Sequence, residues 1–365
     1  MTNPVRRAIH AAGRSLRPIV SVPADRRIAR SALRHHPEQL IVDTDHWSSH
    51  VAIVATYPRA PLTDSILRLI TGLRALGATV VLVANDSPDR SSCTEQWIDH
   101  CDALIHRANL GRDFGAYRTG YTHVLTSAPL ERIERVSFFN DSVLHLPTTP
   151  ALLSQWFSTL EHDGSRGCHA LAVKEDGRPR PQTFAFTLDA RTAFDPAVRH
   201  YWQRLLPSDD RATIVRRGER RFAEVLSGID APVVGLLRFE LLDDLLDGDW
   251  GRLRSAERDG LRWALQFRPA IGRESGCTAD EISTATADTP RAVAGNVLRW
   301  LGPNRAFGLL AARTAGFPLK LDIIGIGAAT PAGVSEALVE SGMDEEERVG
   351  VERLMASHRI EGVRM

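Results

Sequence analysis

Blocks of apolar residues in the first two thirds of the chain alternate between the spacing of strands and the spacing of helices. Residues 51–55 form a short β-branched run, and residues 64–76 carry apolar side chains at helical spacing. Gly77 favours a helix end, and residues 79–84 form a second apolar run that predicts a buried strand. This order of strand, helix and strand predicts a parallel pair with a right-handed crossover.

The alternation continues to about residue 240 and then changes to a mostly helical pattern. Further strands are predicted at residues 103–106, 135–139, 170–173 and 183–187, and helices at 116–125, 151–160, 196–206 and 220–226. We therefore expect an α/β fold with an open, mostly parallel sheet flanked by helices. The chain divides into an N-terminal arm at 1–47, an α/β domain at 48–240 and a mainly helical C-terminal region at 241–365.

The N-terminal arm is strongly basic. Residues 1–36 contain eight arginines and a single acidic residue, Asp25, with apolar residues between the arginines. Such a segment suits contact with an anionic lipid surface, whereas Pro18 and Pro23 interrupt any long helix. Two interpretations remain open, a peripheral membrane contact and a solvated arm.

Charge balance and cysteine content limit the partners and the compartment. Lys+Arg and Asp+Glu each total 45, so no net charge attracts nucleic acid. Four cysteines without a Cys-x-x-Cys pair are typical of reduced thiols. No apolar run approaches the roughly 20 residues that span a bilayer, and the N-terminus lacks the apolar segment of a secretory signal. We expect a cytoplasmic protein, at most peripheral at the inner face of the plasma membrane, with no nucleic-acid partner.

Polar side chains follow several of the predicted strands. Thr56 and Tyr57 follow the first strand, Asn85 follows the second, and Asn140 and Asp141 follow the strand at 135–139. Ligands of open α/β sheets bind at the carboxyl ends of the strands. The sequence therefore predicts a ligand site at this edge of the sheet.

The turn at residues 109–115, with the sequence NLGRDFG, carries a second group of candidate donor-binding residues, Asn109, Gly111, Arg112 and Asp113. Gly111 lets the backbone approach a ligand closely, Arg112 is suited to bidentate pairing with phosphate, and Asp113 can accept from a sugar hydroxyl. The alternative is structural: Asn109 and Asp113 cap the following helix, and Arg112 pairs with a nearby surface acid.

Asp141 is the candidate metal ligand. A carboxylate at the end of a buried strand can hold a divalent cation that bridges a diphosphate. The segment Asn140-Asp141-Ser142 supplies only one acid, so a structural cap remains an alternative and metal dependence stays open.

Residues 109–117 (NLGRDFGAY) and 139–143 (FNDSV) together resemble the paired signature of the rhamnan synthesis protein F family. Supporting segments lie at residues 182–186, 201–202 and 218–219, with fainter ones at 303–304 and 316–320. The resemblance covers about residues 48–330. The chain departs from the family pattern at residues 144–147, where a Gly-Pro commonly follows the Asn-Asp-Ser turn.

The resemblance implies a GT-A-like glycosyltransferase, a hexosyltransferase that moves rhamnose or a related sugar from a nucleotide-sugar donor to a lipid-linked or polysaccharide acceptor in cell-surface glycan synthesis. It implies that Asp141, with Asn140 and Ser142, holds Mg²⁺ or Mn²⁺ and the donor diphosphate, and that Gln182 contacts the donor. Glu219 corresponds to the general base of inverting members. No organic cofactor is expected.

Two other enzyme classes fit these residues poorly. Asp43 and Asp45 follow only a thin apolar run, unlike the paired aspartates of haloacid-dehalogenase phosphatases. Residues 56–59, after the first strand, lack the Gly-x-Gly-x-x-Gly turn of nicotinamide dehydrogenases. The remaining alternative is a GT-A-like protein that binds a glycan or nucleotide sugar without catalysis, as a scaffold in a polysaccharide-assembly complex.

Overall fold

A computed structural model describes residues 38–59, 62–85, 97–163, 166–174, 178–208, 210–284, 288–301 and 303–357 of the chain. Most of the basic arm, residues 1–37, lies outside the described residues, so the structure does not test its predicted contact with lipid.

A nine-stranded sheet forms the centre of the molecule. Its strands are β1 (Gln39–Val42), β2 (His50–Thr56), β3 (Thr79–Asn85), β4 (Ala103–Arg107), β5 (Arg135–Asn140), β7 (Cys168–Lys174), β8 (Arg180–Pro181), β9 (Ala185–Asp189) and β10 (Val233–Leu237). From edge to edge their order is β1, β4, β3, β2, β5, β9, β7 and β10, with β8 paired to β7. A separate two-stranded sheet joins β6 (Val143–Leu144) to β11 (Leu319–Lys320).

The predicted mostly parallel sheet is confirmed. Within the described part of the chain, β2, β3, β4, β5, β7 and β10 run in one direction, whereas β1, β8 and β9 run in the other. The antiparallel β9 lies between β5 and β7, so its amino end reaches the edge where the parallel strands end. The apolar pattern did not predict β10.

Helices cover both faces of the sheet. In the first part of the chain they are α1 (Thr63–Ala75), α2 (Arg112–Ser127), α3 (Thr149–Asp163), α4 (Ala190–Ala193), α5 (Pro196–Arg204), α6 (Arg211–Ile214) and α7 (Arg221–Gly228), with a π-helical segment (Val215–Arg220) between the last two. The C-terminal region adds α8 (Phe239–Leu245), α9 (Ser255–Phe267), α10 (Pro269–Ser275), α11 (Glu281–Thr284), α12 (Asp288–Leu301), α13 (Pro303–Ala306), α14 (Gly308–Ala315), α15 (Pro331–Glu340) and α16 (Glu345–Ser357). Of the helices in the described residues, none has the length and apolar character required to cross a membrane.

Alternate residues of the central strands point to different helical layers. Ala52 and Val54 pack with α1, α3 and the C-terminal helices, whereas Val51 and Ile53 pack with α2, α5 and α7. Burial on both faces explains why these parallel strands are continuous apolar runs in the sequence. The C-terminal helices share a hydrophobic core with the sheet, and β11 returns the chain to the segment directly after β5.

Gly120 sets the distance between α2 and the sheet. A Cβ at this position would lie 2.5 Å from Ile53 Cγ2 and 3.1 Å from Val83 Cγ2. We expect Gly120→Ala to lower the free energy of unfolding by about 1–3 kcal/mol, since the buried core has no room for the methyl group. Urea unfolding measures this change.

Gly228→Ala is the matched control, because nothing lies within 4 Å of a Cβ at the end of α7. It should change the free energy of unfolding by less than about 1 kcal/mol, in the stabilising direction. Equal effects of the two substitutions would contradict the close packing of α2.

Candidate active site

Strand register brings the polar strand ends to one edge of the sheet. Ala55 of β2 lies opposite Asn140 of β5, and Asn85 of β3 lies opposite Arg107 of β4. Phe139 of β5 pairs with Ala185 at the start of the antiparallel β9. The residues predicted to follow the strands therefore meet the segment that precedes β9.

The side chain of Asn140 connects three of these segments. Its Nδ2 donates to Oδ2 of Asp113 at 2.8 Å and to the carbonyl oxygen of Thr183 at 3.3 Å. Its Oδ1 accepts from the backbone N–H of Ser142 at 3.0 Å and from the Ser142 hydroxyl at 2.6 Å. The buried amide thus fixes the start of α2, the turn after β5 and the segment before β9 relative to each other.

Asp141 is held by the end of β2. Its Oδ2 accepts from the backbone N–H of Tyr57 at 2.6 Å and from the Thr56 hydroxyl at 3.1 Å. Burial, followed by the negative charge of Asp113, raises the pKa of Asp141 to about 7, against the opposing effects of the Tyr57 N–H and of Arg59. The ionised form of Asp141 is therefore unfavourable unless a further positive charge lies beside it.

Asp113 is the second acid that the Asn140-Asp141-Ser142 segment lacks. Burial raises its pKa, as does the charge of Glu219, while the charges of Lys320 and Arg112 lower it. The sequence pattern concealed the pairing because Asp113 belongs to the turn before α2, 28 residues before Asp141. The segment at residues 140–142 itself supplies one acid, and the contact of Asp113 with Asn140 brings a second acid near it.

Two desolvated carboxylates at one site suit a divalent cation, which would neutralise both. In the described residues no group of three or more His, Cys, Asp or Glu side chains is placed to hold a metal ion. A cation would therefore take few ligands from the protein. This fits Mg²⁺-type binding, in which one or two carboxylates act with water and substrate phosphates.

The turn before α2 is tightly built. Gly111 has φ +79° and Arg112 has φ +49°, both in the left-handed region. A Cβ at Gly115 would lie 2.1 Å from the carbonyl oxygen of Leu110, so only glycine fits there. The alternative in which Asn109 and Asp113 cap the helix is wrong, because Gly111 occupies the N-cap position without a side-chain cap. Arg112 and Asn109 are exposed at the mouth of the turn.

Arg107 supports this turn from beneath and was not predicted as a site residue. Its buried guanidinium donates to Oδ1 of Asn85 at 2.6 Å and to the carbonyl oxygen of Leu110 at 2.7 Å. Asn85 therefore contacts the turn through Arg107. The available signal was an arginine directly after the strand predicted at 103–106.

Lys320 is the other site residue that the sequence analysis missed. The pairing of β11 with β6 places its Nζ 2.9 Å from Oγ of Ser142 and 5.3 Å from the centre of the Phe184 ring. Its positive charge lowers the pKa of Asp113. The sequence signal is that only two lysines occur in a chain with 45 basic residues, and one of them lies here.

Glu219 and Gln182 lie around this centre. Glu219 belongs to the π-helical segment, is half-buried, and raises the pKa of both Asp113 and Tyr201 through its charge. Gly218 beside it is in contact with the Phe114 ring, because a Cβ there would lie 2.9 Å from Phe114 Cδ2. Gln182 is half-buried, and its backbone N–H donates to the carbonyl oxygen of Ala172 at 2.8 Å.

Searches against protein-family models and against curated proteins gave no match. The chain is similar to a solved protein from Desulfovibrio desulfuricans proposed to be a nucleotide-diphospho-sugar transferase, at 14% identity, covering 52% of this chain and 80% of that one, with a TM-score of 0.29. It is also similar to the mannosyltransferase PcManGT from Pyrobaculum calidifontis, solved with GDP-Man and Mn²⁺, at 16% identity, covering 96% and 95%, with a TM-score of 0.36. The resemblance to the rhamnan synthesis protein F family is not confirmed.

Replacing Asp141 by asparagine should stabilise the metal-free protein above neutral pH. The folded protein holds the Asp141 proton more tightly than the unfolded chain, so stability is lost as the pH rises from about 4 to about 7. The substituted amide has no charge to bury at any pH. We expect Asp141→Asn to raise the free energy of unfolding by about 1–3 kcal/mol at pH 8 and to have little effect near pH 4.

Urea unfolding in EDTA at both pH values measures this difference. The exposed Asp280 provides the control, since a substitution at the surface, Asp280→Asn, should change the free energy of unfolding by less than about 0.5 kcal/mol. If Asp141→Asn destabilised the protein more at pH 8 than at pH 4, this result would contradict the account of the desolvated carboxylate.

Proposed function

We propose that the protein is a glycosyltransferase that transfers a sugar from a nucleotide-sugar donor. The observation that carries the proposal is the pair of half-buried carboxylates, Asp113 and Asp141, whose pKa values are raised by desolvation and which are held by Asn140 and by the end of β2 beside a glycine turn. Transfer of a sugar from a nucleoside diphosphate requires neutralisation of the negative charge that develops on the leaving diphosphate. This cluster can hold a divalent cation for that purpose.

The donor diphosphate would lie between the acids and the turn. Arg112 is exposed at the mouth of the turn, where its guanidinium can form two hydrogen bonds to phosphate. Lys320 supplies a second positive charge, since its Nζ donates to Ser142 and its charge acts on Asp113, and Mg²⁺ or Mn²⁺ at Asp141 and Asp113 would bridge the phosphates. In this proposal Thr56 and Tyr57 orient Asp141, and Asn85 orients the turn through Arg107.

Glu219 is the proposed general base for the acceptor hydroxyl. It is half-buried, belongs to the π-helical segment, and raises the pKa of Asp113 through its charge. A base that accepts the hydroxyl proton during attack corresponds to an inverting transfer. Gln182 and Ser142 complete the proposed donor contacts from the segments before β9 and after β5.

The finer assignment rests on the sequence resemblance. It favours rhamnose or a related hexose as the transferred sugar and a lipid-linked or polysaccharide acceptor in cell-surface glycan synthesis. The proposed nucleotide-sugar domain covers residues 48–240, although Lys320 of the C-terminal region also reaches the site. The proposed location is cytoplasmic, with the basic residues 1–36 as a peripheral contact with the membrane, since residues 39–42 of the predicted arm form β1 of the sheet.

Calorimetric titration with a panel of nucleoside diphosphates and nucleotide sugars, with and without Mn²⁺, tests the proposal. We expect one donor to bind with metal-dependent affinity, and Asp141→Ala to weaken it by at least about tenfold, the effect of losing a charge-assisted contact. Arg132→Gln, an exposed substitution before the amino end of β5, is the control. Absence of binding by every nucleotide would contradict the proposal.

Glu219→Gln separates catalysis from binding. The variant should bind the donor as the wild type does and should lose sugar transfer to an acceptor by about 100-fold or more, as expected for removal of a general base. Product formation from a radiolabelled donor measures the loss. Transfer activity that survives in Glu219→Gln would refute the assignment of the base, and donor binding without transfer in the wild type would favour the non-catalytic scaffold.

Lys320→Met tests the contribution of the C-terminal region to the donor site. Removal of the ammonium group near Ser142 should weaken nucleotide-sugar binding by about tenfold while a nucleoside without phosphates is unaffected, since the charge acts on phosphate. Lys320→Arg should restore most of the affinity. Wild-type donor affinity in Lys320→Met would exclude this role.

A further inference from the structure

A cleft of about 870 Å³ is lined in part by Arg216 and Arg217 of the π-helical segment. Its walls come from α5, the residues directly after it, the π-helical segment and α7. Much of the lining is apolar and includes Ala197, Leu205, Leu206 and Val225. A cleft of this size lies within the range that encloses small-molecule ligands.

Four arginines line the same cleft and a single glutamate opposes them. Arg221 pairs with Glu224 at 2.7 Å. Arg204 and Arg216 are exposed and make no ion pair with another residue in the described part of the chain, and Arg217 is half-buried. Guanidinium groups bind phosphate bidentately, so the charged part of the lining suits a phosphate or diphosphate.

The apolar wall and the arginines of the cleft together favour one chemical class of ligand. A free phosphate would leave the apolar wall in water, and a neutral lipid would provide no anion for Arg204 and Arg216. The arginine-rich segment at residues 1–36 has the same sign of charge as the cleft and does not complement it. We propose that the cleft binds a phosphate or diphosphate ester of a long apolar alcohol.

The position of the cleft links it to the proposed transfer. Tyr201 lines the cleft, and its hydroxyl donates to the carbonyl oxygen of Gly218 at 3.2 Å. The next residue, Glu219, acts electrostatically on both Tyr201 and Asp113. The ligand is therefore the lipid-linked acceptor, with its phosphate and chain in the cleft and its sugar towards Glu219. Only this role as acceptor rests on the proposed function.

Farnesyl diphosphate, used below the concentration at which it forms micelles, is the probe, with pyrophosphate and farnesol as its charged and apolar halves. Calorimetry should show binding of farnesyl diphosphate at least about tenfold tighter than that of either half, because one ligand uses both parts of the lining. Pyrophosphate that binds as tightly as the probe, or a failure of the probe to bind, would overturn the proposal.

Two sets of variants assign the binding to the cleft. Arg204→Gln combined with Arg216→Gln should weaken the probe by about tenfold or more, whereas Arg132→Gln should not. Ala197→Asp places a negative charge in the cleft. Ala197 is the second residue of α5, where an acid is favourable for the helix, so the variant should remain folded. A loss of binding would then report on the cleft. Ala197→Ser is its uncharged control. Unchanged affinity in both arginine and aspartate variants would overturn the site.

Nucleotide-sugar binding separates this inference from the proposed function. Asp141→Ala should lose the donor and retain farnesyl diphosphate, and the cleft variants should show the opposite pattern. Loss of farnesyl diphosphate in Asp141→Ala would place the probe in the donor site and overturn the cleft assignment. Vesicles of phosphatidic acid that bind with the same affinity and the same dependence on Arg204 and Arg216 would overturn the assignment to an acceptor.

Discussion

The organisation of the candidate site depends on the side-chain amide of Asn140. One buried group donates to Asp113 and to the carbonyl oxygen of Thr183 while it accepts twice from Ser142. Each of these partners lies on a different segment, and Ser142 passes the connection on to Lys320. An amide is suited to this position because it donates and accepts at once, whereas a carboxylate would repel Asp113.

Desolvation makes the ionised carboxylate pair unfavourable in the free protein. The same desolvation favours the binding of a cation, which neutralises both charges. Burial raises the pKa of both Asp113 and Asp141, and the Tyr57 N–H and the charges of Lys320 and Arg59 offset only part of the cost. Desolvation of the two carboxylates therefore lowers the free energy of unfolding. The apolar packing of the two helical layers against the sheet offsets this loss. Such an exchange is typical of functional sites.

The sequence predicts the central strands well because strands buried on both faces are continuous apolar runs, as in β2, β3 and β5. It does not reveal β10, whose segment is half-exposed and interrupted by Gly235. Apolar patterns also carry no direction, so the strand predicted at 183–187 gave no sign that β9 runs antiparallel to its neighbours. Contacts over long chain separations are equally hidden, as for Lys320 and Ser142, which lie 178 residues apart.

The most direct test of the central claim is the position of a bound metal ion. Crystals soaked with Mn²⁺ and a nucleoside diphosphate should give an anomalous signal within coordination distance of the Asp141 carboxylate, with the diphosphate between it and the turn at Gly111. Mn²⁺ bound elsewhere, or a nucleotide ordered away from the carboxyl ends of β2 and β5, would contradict the account.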